Sequence, residues 1–325
     1  MSTSGSWDYS LTAAQIIAAA YEDLGVVTPG GSVASVDSVM ALSRLNMIVK
    51  QYQGTSDGAP GVKVHTRQRI ALFLAVGRQT YTVGAGATDA MATTQYGRTT
   101  ISAAEAAGQT VLSITSNTDT TTYPGTTVTM TSADNIGIEL DDGTIQWTTI
   151  SGTPAATATV AVALTSAAAA GNYVYWFTSR AQRFPTLEAA VLRDSSYNDS
   201  PIGIYDDVDQ YEYGVASKYA DGTPTTLLCE PLRQSTRITL DSQPTDVTKH
   251  IVLTVLYPAE DYDATTNDIA FPQEALRFLS WELAFALSPS VGRWTPEMEL
   301  NRKEARQMYL NLNPENSVMY FQPNA

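Results

Sequence analysis

The stretch FPQEALRFLSWELAFALSP, residues 271–289, constrains the fold more than any other part of the chain. Leu276, Leu279, Leu283 and Leu287 recur at three- and four-residue spacing and so line one face of a helix. Phe278, Trp281 and Phe285 form a second apolar stripe, leaving a narrow arc around Arg277, Ser280 and Glu282 for water. A helix apolar on that many sides has to be buried on that many sides. Pro272 suits the first helical turn, where a backbone N–H has no helical partner in any case. Pro289 and Gly292 are expected to end the helix. A further helix is predicted from Thr295 and Pro296, with Glu297 and Glu299 near its positive end and Arg302, Lys303 and Arg306 further along. Its buried side is expected to hold Met298, Ala305, Met308, Tyr309 and Leu312.

The N-terminus offers the partners that such a helix requires. Thr12 and Gln15 form a capping box, Leu11 and Ile16 stand at hydrophobic-staple positions, and Gly25 suits the C-terminal cap. In VDSVMALSRLNMIVKQYQG, residues 36–54, Val39, Leu42, Leu45, Val49 and Tyr52 fall at helical spacing and Gly54 closes the run. Ile16, Leu24, Leu42, Leu45 and Val49 are therefore expected to share one core with Leu276, Leu279, Trp281, Leu283 and Leu287. The predicted fold class is α+β: a helical bundle from the N- and C-terminal helices, an antiparallel β-domain between them, and an inserted all-β domain.

The middle of the chain reads as strands. Residues 62–83 alternate loosely and break at Gly77. Residues 98–178 carry few charges. Ile136, Ile138 and Leu140 share one strand face, and Leu112 and Ile114 alternate with Val111 and Ser113. Asp142-Gly143 is a two-residue hairpin signal, with Ile145, Trp147 and Thr149 on its far side. Residues 158–164 and 172–178 add two more strands, and only the Ala-rich pieces at 103–107 and 167–170 allow short helices. The stretch reads as a self-contained insert. Beyond it, residues 187–193, 225–231, 236–242 and 250–261 are strand-like. A short helix is predicted between the first two, followed by an Asp221-Gly222 turn. Residues 236–244 and 249–258 are expected to be antiparallel neighbours, with Pro244 in the turn between them.

At 325 residues the chain is long enough for two or three cores. Charged residues make up only 16%, against about a quarter in average domains. Cys229 is the single cysteine, so no internal disulfide is possible and an oxidising compartment is not indicated. Without a basic segment before the first Ala/Ile run, a signal peptide is not expected, and no stretch reaches transmembrane length. The expected birthplace is cytoplasm. The net charge of −14 argues against gripping phosphates, which needs clustered Lys and Arg. The plain reading of the charge is solubility; the sharper one is a conduit whose like charge repels a phosphate backbone, if DNA has to pass.

Few residues suggest chemistry. His65 and His250 are the only histidines, each alone in a strand-like run, so a His-rich metal site cannot be built. The chain has no G-x-S-x-G elbow and no phosphate-binding P-loop, and Gly84 and Gly86 lack a strand–helix context. The clusters Asp206, Asp207, Asp209 and Glu260, Asp261, Asp263 lack the spacing of a calcium loop and read as solvated turns. Tyr173, Tyr175, Trp176 and Phe177 form one aromatic group and Tyr205, Tyr211 and Tyr213 another. They read mainly as sheet core, with a sugar-binding face or a subunit interface as alternatives. No enzyme, cofactor or metal is expected.

The order of segments resembles one family. It runs from the N-terminal helix pair through QTYTVG (79–84), RFPTLEAAVLR (183–193), DVDQYEYGV (207–215) and DGTPTTLLCEP (221–231). TRITLDSQP (236–244), HIVLTVLYPAED (250–261) and FPQEALRFLSWELAFALSP (271–289) complete it. This resembles the head-to-tail adaptors, also called tail tubular or packaged-DNA stabilisation proteins, of short-tailed bacteriophages. The stretch IGIELDDGTIQWTTI (136–150) is similar to a β-insert carried by some members. The resemblance covers nearly the whole chain, and the segment at 271–289 is its most specific part. Relatives have a cleaner Arg-Pro at one strand start, where this chain has Arg183-Phe184-Pro185.

The resemblance implies a ring, commonly a dodecamer, between the portal protein and the tail nozzle protein of a virion, assembled in the host cytoplasm. Residues 1–97 and 179–313 become the adaptor core, 98–178 the insert, and 314–325 a portal-docking arm. Val318, Met319, Tyr320 and Phe321 are the arm's apolar residues, with Tyr320 and Phe321 as anchors. Double-stranded DNA is expected to pass through the lumen without specific binding. The implied partners are further copies of the chain, the portal, the nozzle and tail fibres, with no membrane. An alternative makes the insert the working part, as a fibre-anchoring or glycan-binding tail module.

Overall fold

The computed structural model describes residues 9–53, 66–84, 87, 89–93, 95–122, 126–205, 207–257, 260–269, 271 and 273–312. The architecture is mixed α+β. The chain divides into two compact units, one from residues 1–65 and 258–325 and the other from residues 66–257.

The first unit is helical. Helix α1 (Ala13–Asp23) starts at the Thr12 capping box, and Gly25 follows it at φ 64°. The Ala13 and Ala14 N–H groups, which a helix start leaves without partners, donate to the carbonyls of Asn267 and Thr265 at 2.9 and 2.8 Å. Helix α2 runs Ser35–Gln53. Its Asn46 side chain bonds both the carbonyl and the N–H of Tyr262, each at 2.9 Å. A 3-10 turn at Gln273–Ala275 leads into a long helix at Leu276–Val291, and a last helix follows at Pro296–Leu312. Ile16, Leu24, Leu45, Val49, Leu276, Leu279, Leu283 and Leu287 are buried in one apolar cluster, with Leu42 packed against it half-buried.

The Leu276–Val291 helix departs from its pattern in three ways. Ser280 and Glu282, expected to face water, are buried. Each has a partner inside: the Ser280 hydroxyl donates to Asp23 at 2.7 Å, and Glu282 takes a two-pronged contact from Arg302 at 3.1 Å. Burying a polar group costs little once it is hydrogen-bonded. Trp281, expected in the core, is only half-buried and lies outside the cluster, and Phe285 is 40% exposed. The water-facing stripe runs through Arg277, Trp281, Phe285 and Pro289 at four-residue steps. Phe285 is capped by the Arg302 guanidinium at 3.8 Å and by Trp294 edge-on at 5.1 Å, which lets an aromatic ring stand at the surface. Pro289 does not stop the helix. It sits in the last turn, where the Phe285 carbonyl that it cannot satisfy accepts from the Ser288 hydroxyl at 2.8 Å. Gly292, at φ 71°, ends the helix in the left-handed conformation open to glycine. The Pro272, Tyr52 and Gly54 expectations fall outside the described residues or side chains.

The second unit holds an eight-stranded sheet. Across it the strands are Thr80–Gly84, Ser235–Leu240, Thr226–Pro231, Asp199–Tyr205, Thr186–Arg193, His250–Tyr257, Thr66–Phe73 and Met91–Ala92. Six residues, 74–79, join the Thr66–Phe73 strand to the strand on the opposite edge, so the sheet has to curl nearly into a barrel. Its inside is filled by Ile70, Leu72, Tyr81, Leu227, Ile238, Leu253 and their neighbours. The sheet is mixed and not wholly antiparallel as expected. Asp199–Tyr205 and Thr226–Pro231 run parallel, which requires a crossover, and the short helix α3 (Val208–Gly214) lies on it. Residues 236–244 and 249–258 are not neighbours either: three strands separate Ser235–Leu240 from His250–Tyr257. Asp221–Gly222 is no tight turn; it pairs in parallel with Gln243–Pro244.

A four-stranded sheet, in the order Gly97–Thr100, Tyr173–Phe177, Asn135–Glu139 and Ile145–Thr149, belongs to the same unit. Asp142-Gly143 makes the hairpin between the last two. Gly97 and Gly137 sit opposite Trp176 and Trp147 in register, and a methyl group at either glycine would run into the indole. The Ala-rich pieces are not helical; Glu105 and Ala168 form a bridge instead. This sheet has its own apolar cluster around Leu112, Ile136, Ile138, Val174 and Trp176.

Candidate interaction surface

The helical unit spends apolar side chains on its outside. On α2, Val36 is 79% exposed, Val39 69% and Met47 62%, with Met40 beside them. These positions recur at helical spacing and make one stripe, the face turned away from Leu45 and Val49. Val39, expected in the buried face, belongs to this outer one. The stripe borders an open groove of about 780 Å3, where Leu42, Asn46, Lys50 and Tyr262 join it. Lys50 is paired with Asp261 at 2.7 Å, so the rim carries balanced charge.

On the last helix, Pro296–Leu312 (α5, with Leu276–Val291 as α4), Leu300 and Met308 are exposed while Ala305 and Tyr309 are buried. Met308 was expected inside and is not. Tyr309 takes that place by stacking on Phe278 at 5.5 Å and 12°. Thr295 opens the helix, accepting from the Met298 N–H at 3.3 Å. Helices α2 and α5 each pack on α4. Helix α2 therefore presents an apolar stripe, whereas Leu300 and Met308 on α5 are separate exposed residues with Glu304, ion-paired to Arg277 at 3.8 Å, between them. Spacing alone shows that Val39 and Met308 lie on apolar positions. Which side of each helix meets α4 cannot be seen without the tertiary structure.

Most of the aromatics singled out in the sheet unit are spent inside. Tyr175, Trp176 and Phe177 are buried and Tyr173 half-buried, so they form no open platform for a sugar ring. Tyr211 is buried and donates to the Leu240 carbonyl at 2.8 Å, Tyr205 packs edge-on against it, and Tyr213 is 91% exposed. Cys229 is half-buried between strands, and burial with the neighbouring Glu230 pushes its thiol up to about 12. Among the described residues no group of three His, Cys, Asp or Glu side chains is placed to hold a metal ion. Glu260 and Asp263 are exposed, and Asp207 precedes α3 without a side-chain capping bond. His65, Asp206 and the arm residues Val318, Met319, Tyr320 and Phe321 lie outside the described residues. Among the described residues no helix is long and apolar enough to cross a membrane.

No protein-family model matches the chain, and no curated protein matches it.

Proposed function

We propose that this chain is a structural virion protein of the head-to-tail adaptor kind, forming a ring that joins the portal to the tail nozzle and lets DNA pass. In this reading the helices make a bundle that forms the ring wall. Residues 1–97 and 179–313 are the adaptor core, residues 98–178 an insert available to tail fibres, and residues 314–325 the portal-docking arm. The observation that carries the reading is the exposed stripe Val36, Val39, Met40 and Met47 on α2. An apolar surface organised in stripes marks an interaction site. Such a stripe suits a contact with another copy, and a head-to-tail contact closes into a ring when the rotation between copies permits. The net charge of −14 suits a lumen that repels the phosphate backbone. The reading assigns the chain no catalysis and no cofactor, and puts it in the tail or neck of a virion.

Mass photometry of the purified chain, alone and with the portal ring of the same virus, tests this. Closed oligomers, or a portal ring that gains a fixed number of copies, are the expected result. A monomer that ignores the portal would overturn the proposal. Removing residues 314–325 is expected to abolish portal binding and leave the fold intact, as read by circular dichroism.

A further inference from the structure

His250 sits at the start of the strand His250–Tyr257, on the face turned away from the interior of the eight-stranded sheet. Ile251, Leu253 and Val255 point into that interior. On the outer face Ala71 and Phe73 meet Tyr96, Tyr175, Phe177 and the edge of Trp147, an aromatic cluster where the two sheets touch. Phe73 is its centre, with ring centroids 4.9 Å from Trp147, 5.1 Å from Tyr175 and 5.6 Å from His250. Within this apolar contact a polar bridge runs from His250 Nε2 to the Tyr96 hydroxyl at 2.7 Å; beside it Arg98 donates to the Ser195 carbonyl at 2.7 Å and Thr122 meets the Tyr197 hydroxyl at 2.9 Å. Tyr96 directly precedes the first strand of the smaller sheet.

We propose that this bridge is an acid-sensitive latch: the neutral imidazole holds the smaller sheet against the larger one, and its protonation releases the contact. The geometry gives the imidazole no means of taking a second proton. His250 is 3% exposed, and its Nδ1 meets no hydrogen-bond partner among the described residues. A neutral ring that donates from Nε2 to Tyr96 leaves Nδ1 bare, which is tolerable. An N–H there would be a buried donor without an acceptor. The charges around it are also unfavourable. Arg193 faces it from the neighbouring strand, where the two residues are in register, and Arg98 approaches from the smaller sheet. Asp199, the one carboxylate near it, is held by Arg193 in a two-pronged pair at 2.7 and 2.8 Å. Tyr175 adds a buried phenol from the smaller sheet, and on its own strand Lys249 is paired with Asp246 at 3.5 Å.

Burial first, then the Arg193 and Arg98 charges, bring the imidazole down to about 3, with Asp199 opposing. A histidine released to water titrates near ~6.5. The docked state is therefore at full advantage above about 6.5 and loses it as the pH falls toward about 3, by up to about tenfold in population per pH unit.

Near-UV circular dichroism of the full chain, followed from pH 7.5 to pH 3 beside the far-UV signal, reads the aromatic contact separately from the strands. The expected result is loss of the near-UV signal below about pH 5 while the far-UV signal persists. His250→Gln keeps an N–H for Tyr96 but takes no proton, and is expected to hold the near-UV signal at least about one pH unit lower. Asp119 and Asp246, whose carboxyls are held low by hydrogen bonds, act alike in both proteins, so the difference between the curves reads the histidine together with its coupling to Asp199. Coincident curves would overturn the latch. The wild-type imidazole proton resonances decide the matter should the variant not fold, because the chain has only two histidines. A His250 resonance that shifts with a midpoint near the free value, the aromatic contact intact, would also overturn it.

Discussion

The helical unit and the sheet unit treat their large apolar side chains in opposite ways. The sheet unit turns Phe73, Tyr96, Tyr175, Trp176 and Phe177 inward and buries them. The helical unit buries three polar side chains of α4, Ser280, Glu282 and Ser288, and leaves Val36, Val39, Met47, Leu300 and Met308 outside. Among the described residues each unit leaves a few buried polar atoms without a hydrogen bond, such as Trp176 Nε1 and His250 Nδ1 in the sheet unit and the Tyr309 hydroxyl in the helical one, so the contrast is one of apolar surplus. The sheet unit leaves Tyr213 and Tyr219 exposed, but they stand apart from that buried cluster. A unit that exposes a stripe at helical spacing has surface to spend on a partner.

Substitutions can break or sharpen this contrast. The largest effects are expected at the two aromatic centres. Phe73→Ala in the sheet unit and Phe278→Ala in the helical unit should each cost about 3–5 kcal/mol in urea unfolding. A loss under about 1 kcal/mol at Phe278 would mean that α4 is not the centre of its unit. Glu282→Ala should cost about 3 kcal/mol, because it strands Arg302 in a half-buried position. Arg302 keeps Glu299 at 3.4 Å, which holds the effect at the low end of that class. Trp281→Ala should cost only about 1–2 kcal/mol, being half-buried, and a thermal melt compared with Leu283→Ala checks the ranking. The smallest stability effect is expected from Val39→Ser combined with Met47→Ser, within about 0.5 kcal/mol per site. That variant should nonetheless abolish self-association in sedimentation. Unchanged association would remove the α2 stripe from the interface.

Much of the helical unit is legible in the chain. The capping box at Thr12 and Gln15, the Gly292 cap and the leucine row of α4 are local signals, set by hydrogen bonds and periodicity within a few residues. Ser280 and Glu282 were not legible as buried. Their partners, Asp23 and Arg302, lie 257 and 20 residues away, and nothing local announces them. The same distance problem hid the sheet order: Asp199–Tyr205 carries Asp, Ser, Pro and Gly, reads as a loop, and becomes a strand because two neighbours supply its ladder. Of the exposed α2 stripe, sequence periodicity picks out only Val39, and on the buried face; Val36, Met40 and Met47 and the outward direction of the stripe came from the tertiary structure. The His250–Tyr96 contact spans 154 residues and has no sequence signature.

The sequence by itself determined the caps at Thr12 and Gly292, which strands are apolar on one face, and that the chain has no G-x-S-x-G elbow and no P-loop. These depend on short-range sterics, capping and period. Only the tertiary structure decided which polar groups could be buried, which apolar stripe stayed in water, and which strands became neighbours. Those outcomes turn on whether a distant group arrives to complete a hydrogen bond or cover a face, and this depends on the packing of the whole unit.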